Sequence, residues 1–121
     1  ITADTDTNLL LKAKATCSLL KDYEFVFVHI NGADEASHRR DCLEKVRFIE
    51  RIDKEFVAYL LNNIDKRTKV MLCSDHATDP VSGKHAHLSV PVIIQGVNFP
   101  VTGTDSQILS LNDVRKYLLS V

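Results

Sequence analysis

The chain contains no apolar run even half as long as the ~20 residues that cross a bilayer, so no helical membrane span is expected. It carries no surplus of either charge. Fifteen Lys and Arg stand against 16 Asp and Glu, a net charge of −1, which leaves no basic footprint for nucleic acid or for an anionic membrane. Cysteine is sparse: Cys17, Cys42 and Cys73 are odd in number, widely spaced and form no Cys-x-x-Cys pair. They read as reduced thiols of a cytoplasmic protein rather than a disulfide framework. Internal repeats and low-complexity tracts are absent. The first residues, Ile1-Thr2-Ala3-Asp4, hold neither a start methionine nor a signal peptide. That end reads as cut, and the chain is expected to be a piece of something longer.

What is present fits a globular protein. At 121 residues the chain is expected to form one domain at most, with a real core. Asp4 to Thr7 offer N-caps, and Leu9 to Leu20 is rich in Leu, Ala and Lys, which predicts a helix. Tyr23 to Ile30 (YEFVFVHI) is β-branched and aromatic, the pattern of a buried parallel strand. Asn31-Gly32-Ala33 predicts a turn. From Asp41 to Ile64, the residues Leu43, Val46, Ile49, Ile52, Phe56, Leu60 and Ile64 recur every three or four positions, the clearest amphipathic helix in the chain. Lys69 to Cys73 and part of Leu88 to Gln95 predict two further strands. Asn98 to Ser110 reads as loop, and Leu111 to Leu119 as a weaker helix. The order helix, strand, helix, strand, strand, helix predicts an α/β fold with a mainly parallel sheet flanked by helices. In such sheets ligands bind beyond the carboxyl ends of the strands.

Chemistry-bearing residues gather at those ends. Asp34 and His38 follow the first expected strand, spaced i, i+4. Asp75 and His76 directly follow the second, and His85 and His87 lie beyond them. Carboxylate and imidazole together suit a divalent ion such as Zn²⁺ or Mn²⁺. Two clusters suggest two ions, the arrangement of metal-assisted hydrolysis or phosphoryl transfer. Each residue also has a plainer reading. Asp34 alone would cap a solvated helix start, Asp75-His76 would be a strand-end turn, and His85 and His87 would be loop histidines. His29, alternating with Val28 and Ile30, reads as a hydrogen-bonded core histidine. Arg39-Arg40 read as a solvated helix face rather than a phosphate clamp. Independent strand ends delivering the same donor types favour the metal reading.

The stretch FVFVHINGADEASHRRDCLEKVRFIERIDKEF resembles the strand, Asp-x-x-x-His and long helix of the cofactor-independent phosphoglycerate mutases, in their archaeal-type branch. SDHATDPVSGKHAHLSVPVII resembles that family's Asp-His segment, its later metal-binding His and the Pro-Val strand behind it. TDTNLLLKAKA is similar to the branch's Asp-Thr-Asn helix. The resemblance runs to about Ile94 and is more specific for the alkaline phosphatase superfamily than for the mutase branch.

The resemblance implies roles. Asp34 and His38 would bind one metal with the later His, taken as His85 because Pro91 follows at the family's spacing. Asp75 and His76 would bind the second. Lys12 would correspond to a lysine near the phosphoryl group. Three departures stand out: Asp79 intervenes before Pro80, Ser89 replaces a frequent Pro, and His87 competes with His85. The family's nucleophilic Ser, a further metal-binding Asp and an arginine-bearing substrate domain have no counterpart here. Ser74 ends a strand rather than supplying that nucleophile. Residues 1–121 would then be the C-terminal part of a catalytic domain with an alkaline phosphatase-like core, completed by the remainder of a parent chain. The implied parent is an isomerase of glycolysis and gluconeogenesis. It interconverts 3- and 2-phosphoglycerate through a phosphoserine, with two divalent ions (Mn²⁺, Zn²⁺ or Mg²⁺). Two alternatives stay open: a phosphatase, phosphodiesterase or phosphonate-cleaving hydrolase of the same superfamily, and a non-catalytic metal-binding domain.

Overall fold

The computed structural model describes residues 4–96; the expected loop from Asn98 and the helix from Leu111 lie outside them. The chain divides into two compact units, Ile1–Ile64 with Thr78–Ala86, and Asp65–Ala77 with His87–Val121.

The first unit is helical. Helix α1 spans Leu9–Leu19. Its cap is Asn8, whose side chain accepts the Leu11 N–H at 2.8 Å, rather than any residue of the expected Asp4–Thr7 set. Asp4 and Thr5 are instead tied to later segments: Arg39 donates to both Asp4 carboxylate oxygens at 2.9 Å and to Glu44, and Thr5 Oγ1 donates to Glu44 at 2.6 Å. Arg39 is exposed, as expected of a solvated face, and also ties these segments together. Helix α2, Gly32–His38, ends at Arg40, whose φ is +60°. The Arg40 N–H donates to Ser37 O and the Asp41 N–H to Ala36 O, the paired bonds of a Schellman motif. Asp41 then caps helix α3 (Cys42–Arg51) by accepting the Glu44 N–H at 2.8 Å. A π-helical turn, Ile52–Val57, leads directly into α4 (Ala58–Asn63).

That turn decides which side of the long helix is buried. Phe48, Phe56 and Leu60 enter the core with Leu9, Ala13 and Ala36, Phe48 being 1 % exposed. At 3.6 residues per turn, Phe56 and Leu60 would sit about 80° and 120° away from Phe48. A π-helical turn absorbs roughly one extra residue, about 100° of rotation, and brings all three onto one side. The regular three-and-four spacing in the sequence could not show this shift. It pointed to Leu43, Val46 and Ile49, which are exposed, Leu43 by 67 %.

Two further corrections concern the expected strands. Tyr23–Ile30 forms no strand among the described residues. Strand geometry is maintained by a paired neighbour, and here Tyr23, Phe25 and Phe27 face outward, Phe27 by 77 %. His29 is exposed rather than buried in a core. Nor do the described residues contain a parallel pair. In the second unit β1 (Val70–Cys73) runs antiparallel to β4 (Val92–Gln95), with Val70 opposite Gln95 and Cys73 opposite Val92. A parallel partner needs a crossover, usually helical. The chain between these strands instead contains the pair β2 (Ala77–Asp79) and β3 (Lys84–Ala86). The α/β class stands, carried by helices and small antiparallel sheets.

Candidate metal centre

Helix α2 is short, and its neighbours hold it in place. Gly32, its first residue, lies so close to Phe48 that an added Cβ would come within 2.6 Å of the ring. Asn31 Nδ2 donates to Glu35 Oε1 at 2.8 Å, and Ser37 Oγ to Ala33 O at 2.9 Å. The i, i+4 spacing then turns Asp34 and His38 to one side, with Asp34 Oδ2 3.3 Å from His38 Nε2.

The β2–β3 hairpin closes over this side. Its turn is built by Asp79, whose carboxylate accepts the Val81 and Ser82 N–H groups at 3.0 and 3.1 Å, while its carbonyl accepts the Gly83 N–H at 2.8 Å. Ser82's side chain above all, then these two N–H groups, hold the Asp79 carboxyl below its ordinary value. Gly83 takes φ +72°, a left-handed conformation in which glycine carries no Cβ penalty. The turn sets Gly83 O 2.9 Å from His38 Nδ1 and Thr78 Oγ1 2.5 Å from Asp34 Oδ1. It also brings His85 alongside His38, ring centroids 5.3 Å apart.

Ligand atoms of Asp34, His38 and His85 thereby lie within 4.8 Å of one another. Donors on one tetrahedral ion with bonds near 2.1 Å are separated by about 3.5 Å. Side-chain rotations of an ångström or so close the difference. One carboxylate and two imidazoles suit Zn²⁺ or Mn²⁺, and three protein ligands leave positions open for another group. The donor set therefore fits a divalent ion.

Asp75 and His76 lie in the second unit, immediately after β1. Asp75 accepts the His76 N–H at 3.0 Å, and its Oδ2 is 3.6 Å from His76 Nε2. His87, also in that unit, is exposed and does not belong to the cluster around Asp34. Lys12, on α1, donates to the backbone carbonyl of His29 at 3.2 Å. Sequence reasoning overlooked Thr78 and Gly83. Their signals were present, a hydroxyl two residues after Asp75-His76 and a glycine in a turn, but neither type is itself a metal ligand.

The family model of the Metalloenzyme superfamily matches residues 1–120. The chain belongs to this superfamily. It is 43 % identical over 95 residues to a 2,3-bisphosphoglycerate-independent phosphoglycerate mutase of Methanopyrus kandleri, covering 78 % of this chain and 22 % of that one. It is 36 % identical over 121 residues to the protein of that name from Saccharolobus islandicus, covering 99 % and 29 %. A solved structure of a Pyrococcus horikoshii protein superposes with a TM-score of 0.75 at 35 % identity, covering 78 % of this chain and 29 % of that one. The chain thus spans between a fifth and a third of the length of these superfamily relatives. No helix among the described residues is long and apolar enough to cross a membrane.

Proposed function

We propose that this chain is the metal-holding C-terminal portion of a cofactor-independent phosphoglycerate mutase, acting on phosphoglycerate in the cytoplasm. The observation that carries the reading is the Asp34, His38 and His85 cluster, in a chain similar over most of its length to archaeal mutases. Two ions are proposed, Mn²⁺, Zn²⁺ or Mg²⁺, the first on this cluster and the second on Asp75 and His76. When bound, such ions polarise the transferring phosphoryl oxygens and orient the attacking and leaving groups.

This chain's own residues supply orientation and charge. Asp34 contributes a carboxylate that offsets the ion's charge, and His38 and His85 contribute neutral donors. Lys12 is proposed to reach the phosphoryl group once the remaining strands are in place. The nucleophile and the substrate-gripping arginines would come from the remainder of the parent chain. The mainly parallel sheet of an alkaline phosphatase-like core would then belong to the whole protein, with Tyr23–Ile30 paired inside it.

The test is an assay of the full-length protein with 3-phosphoglycerate and Mn²⁺ or Zn²⁺. The expected result is 2-phosphoglycerate formation that chelators abolish and metal restores, with no turnover by the isolated 121-residue chain. Phosphate release from monoesters or diesters without isomerisation would instead assign the protein to the hydrolases. Metal binding without turnover would assign it a non-catalytic role. Robust turnover by the isolated chain would place the nucleophile within it and overturn the fragment reading.

A further inference from the structure

Of the three clustered ligands, Asp34 has the most freedom to bind wrongly. Either carboxylate oxygen, or both, could take the ion. Something must choose, and the hairpin does so. Thr78 Oγ1 donates to Asp34 Oδ1 at 2.5 Å, the short distance of a charge-assisted O–H···O⁻ bond. The other oxygen, Oδ2, is left on the side of His38 Nε2.

Thr78 is itself well fixed. It is 7 % exposed, and its β-branched side chain has few χ1 states. Its carbonyl accepts the Lys45 ammonium from α3 at 2.7 Å. Three elements therefore meet at this one residue: α3 holds its backbone, β2 carries it, and its hydroxyl grips α2. The same hairpin steers His38 through Gly83 O, five residues on, and supplies His85 two residues later.

We infer that Thr78 is the positioning residue of the metal centre, holding Asp34 by Oδ1 so that Oδ2 alone faces the ion. The inference rests on the metal reading given above. Outer hydrogen bonds of this kind orient a ligand, and their loss typically lowers metal affinity ~10–100-fold. In this role Thr78 is not itself a ligand, and its effect on the ion would pass through Asp34.

The experiment titrates the full-length, metal-free protein with Co²⁺, following heat and the visible ligand-field spectrum. His85→Ala identifies which binding step belongs to this centre. Thr78→Val, nearly isosteric but without the hydroxyl, should weaken that step ~10–100-fold and alter its spectrum. Thr78→Ser should bind close to wild type. Unchanged affinity and spectrum in Thr78→Val overturn the inference while leaving the metal reading intact. Equal loss in both variants assigns the effect to packing and also overturns it. A wild-type protein with no Co²⁺ step sensitive to His85→Ala removes the metal reading, and the inference with it. Should Thr78→Val not fold, a structure of the Co²⁺-loaded wild type decides. Coordination through Oδ2, with Oδ1 kept on Thr78, supports the inference, whereas bidentate or Oδ1 coordination overturns it.

Discussion

His38 places Nδ1 2.9 Å from the carbonyl oxygen of Gly83, forty-five residues further along the chain. A carbonyl can only accept, so Nδ1 donates in this bond, which leaves Nε2 as the ring nitrogen available to an ion. That is the nitrogen beside Asp34. The hairpin turn thus selects the ring face before any ion arrives.

The two late histidines should separate cleanly on mutation. His85 belongs to the cluster and His87 does not. His85→Ala and His38→Ala should each lower divalent-metal affinity by more than the ~10–100-fold typical of outer positions, and activity of the full-length protein with it. His87→Ala should be mild. Calorimetric titration with Zn²⁺ or Mn²⁺ checks this, and the reverse ranking would show that the wrong histidine has been assigned.

Asp79 should make the hairpin sensitive to acid. Its folded carboxyl titrates below its unfolded one, because Ser82 and Val81 donate to the charged form. The stabilisation is therefore complete above the unfolded value of about 3.9 and fades as pH falls through the lower folded value. Melting temperatures of wild type and Asp79→Ala should differ most at pH 5–7 and converge in the acid range below about 3.9. A gap that stays constant down to the acid limit would mean that the Asp79 charge contributes nothing.

Gly32→Ala tests how tightly α2 is seated. The new Cβ would meet two Phe48 ring atoms at 2.6 Å and the Thr5 backbone nitrogen at 3.0 Å. Overpacking of this kind costs about 1–3 kcal/mol, and Phe48 is too enclosed to yield freely. Denaturant unfolding measures the loss. Phe48→Ala should cost more, about 3–5 kcal/mol, through the cavity it leaves.

The outward aromatics of Tyr23–Ile30 should govern how the isolated chain behaves in solution. An unpaired apolar segment of this composition invites pairing with another copy. Sedimentation of the 121-residue chain should show concentration-dependent association, and Phe25→Lys with Phe27→Lys should reduce it. Monomeric behaviour at all concentrations would show that the segment is harmless as it stands.

How far the sequence revealed these features depended on whether a feature was local. Helix α1, the long helix from Asp41 and strands β1 and β4 follow from periodicity and composition, which neighbouring residues determine. The i, i+4 pair Asp34–His38 was legible for the same reason. Tyr23–Ile30 forms no strand here because pairing is a property of two segments, and the described residues offer it no partner strand. The antiparallel register of β1 and β4 depends on the connection between them, not on either strand's residues. Thr78 and Gly83 were missed because they act through hydrogen bonds to residues more than forty positions away.

The π-helical turn at Ile52–Val57 carries a consequence for chain length. The Ala58 N–H reaches back five residues to Asp53 O, so this turn holds one residue more than an α-turn would. Removing a residue there would let the backbone close to ordinary i→i+4 bonding while Phe48 and Leu60 kept their relative phase. The same deletion within α3 would rotate everything beyond it by about 100° and turn Leu60 out of the core. Among the positions of the long helix, the π-helical turn is therefore where a change of length is most easily absorbed.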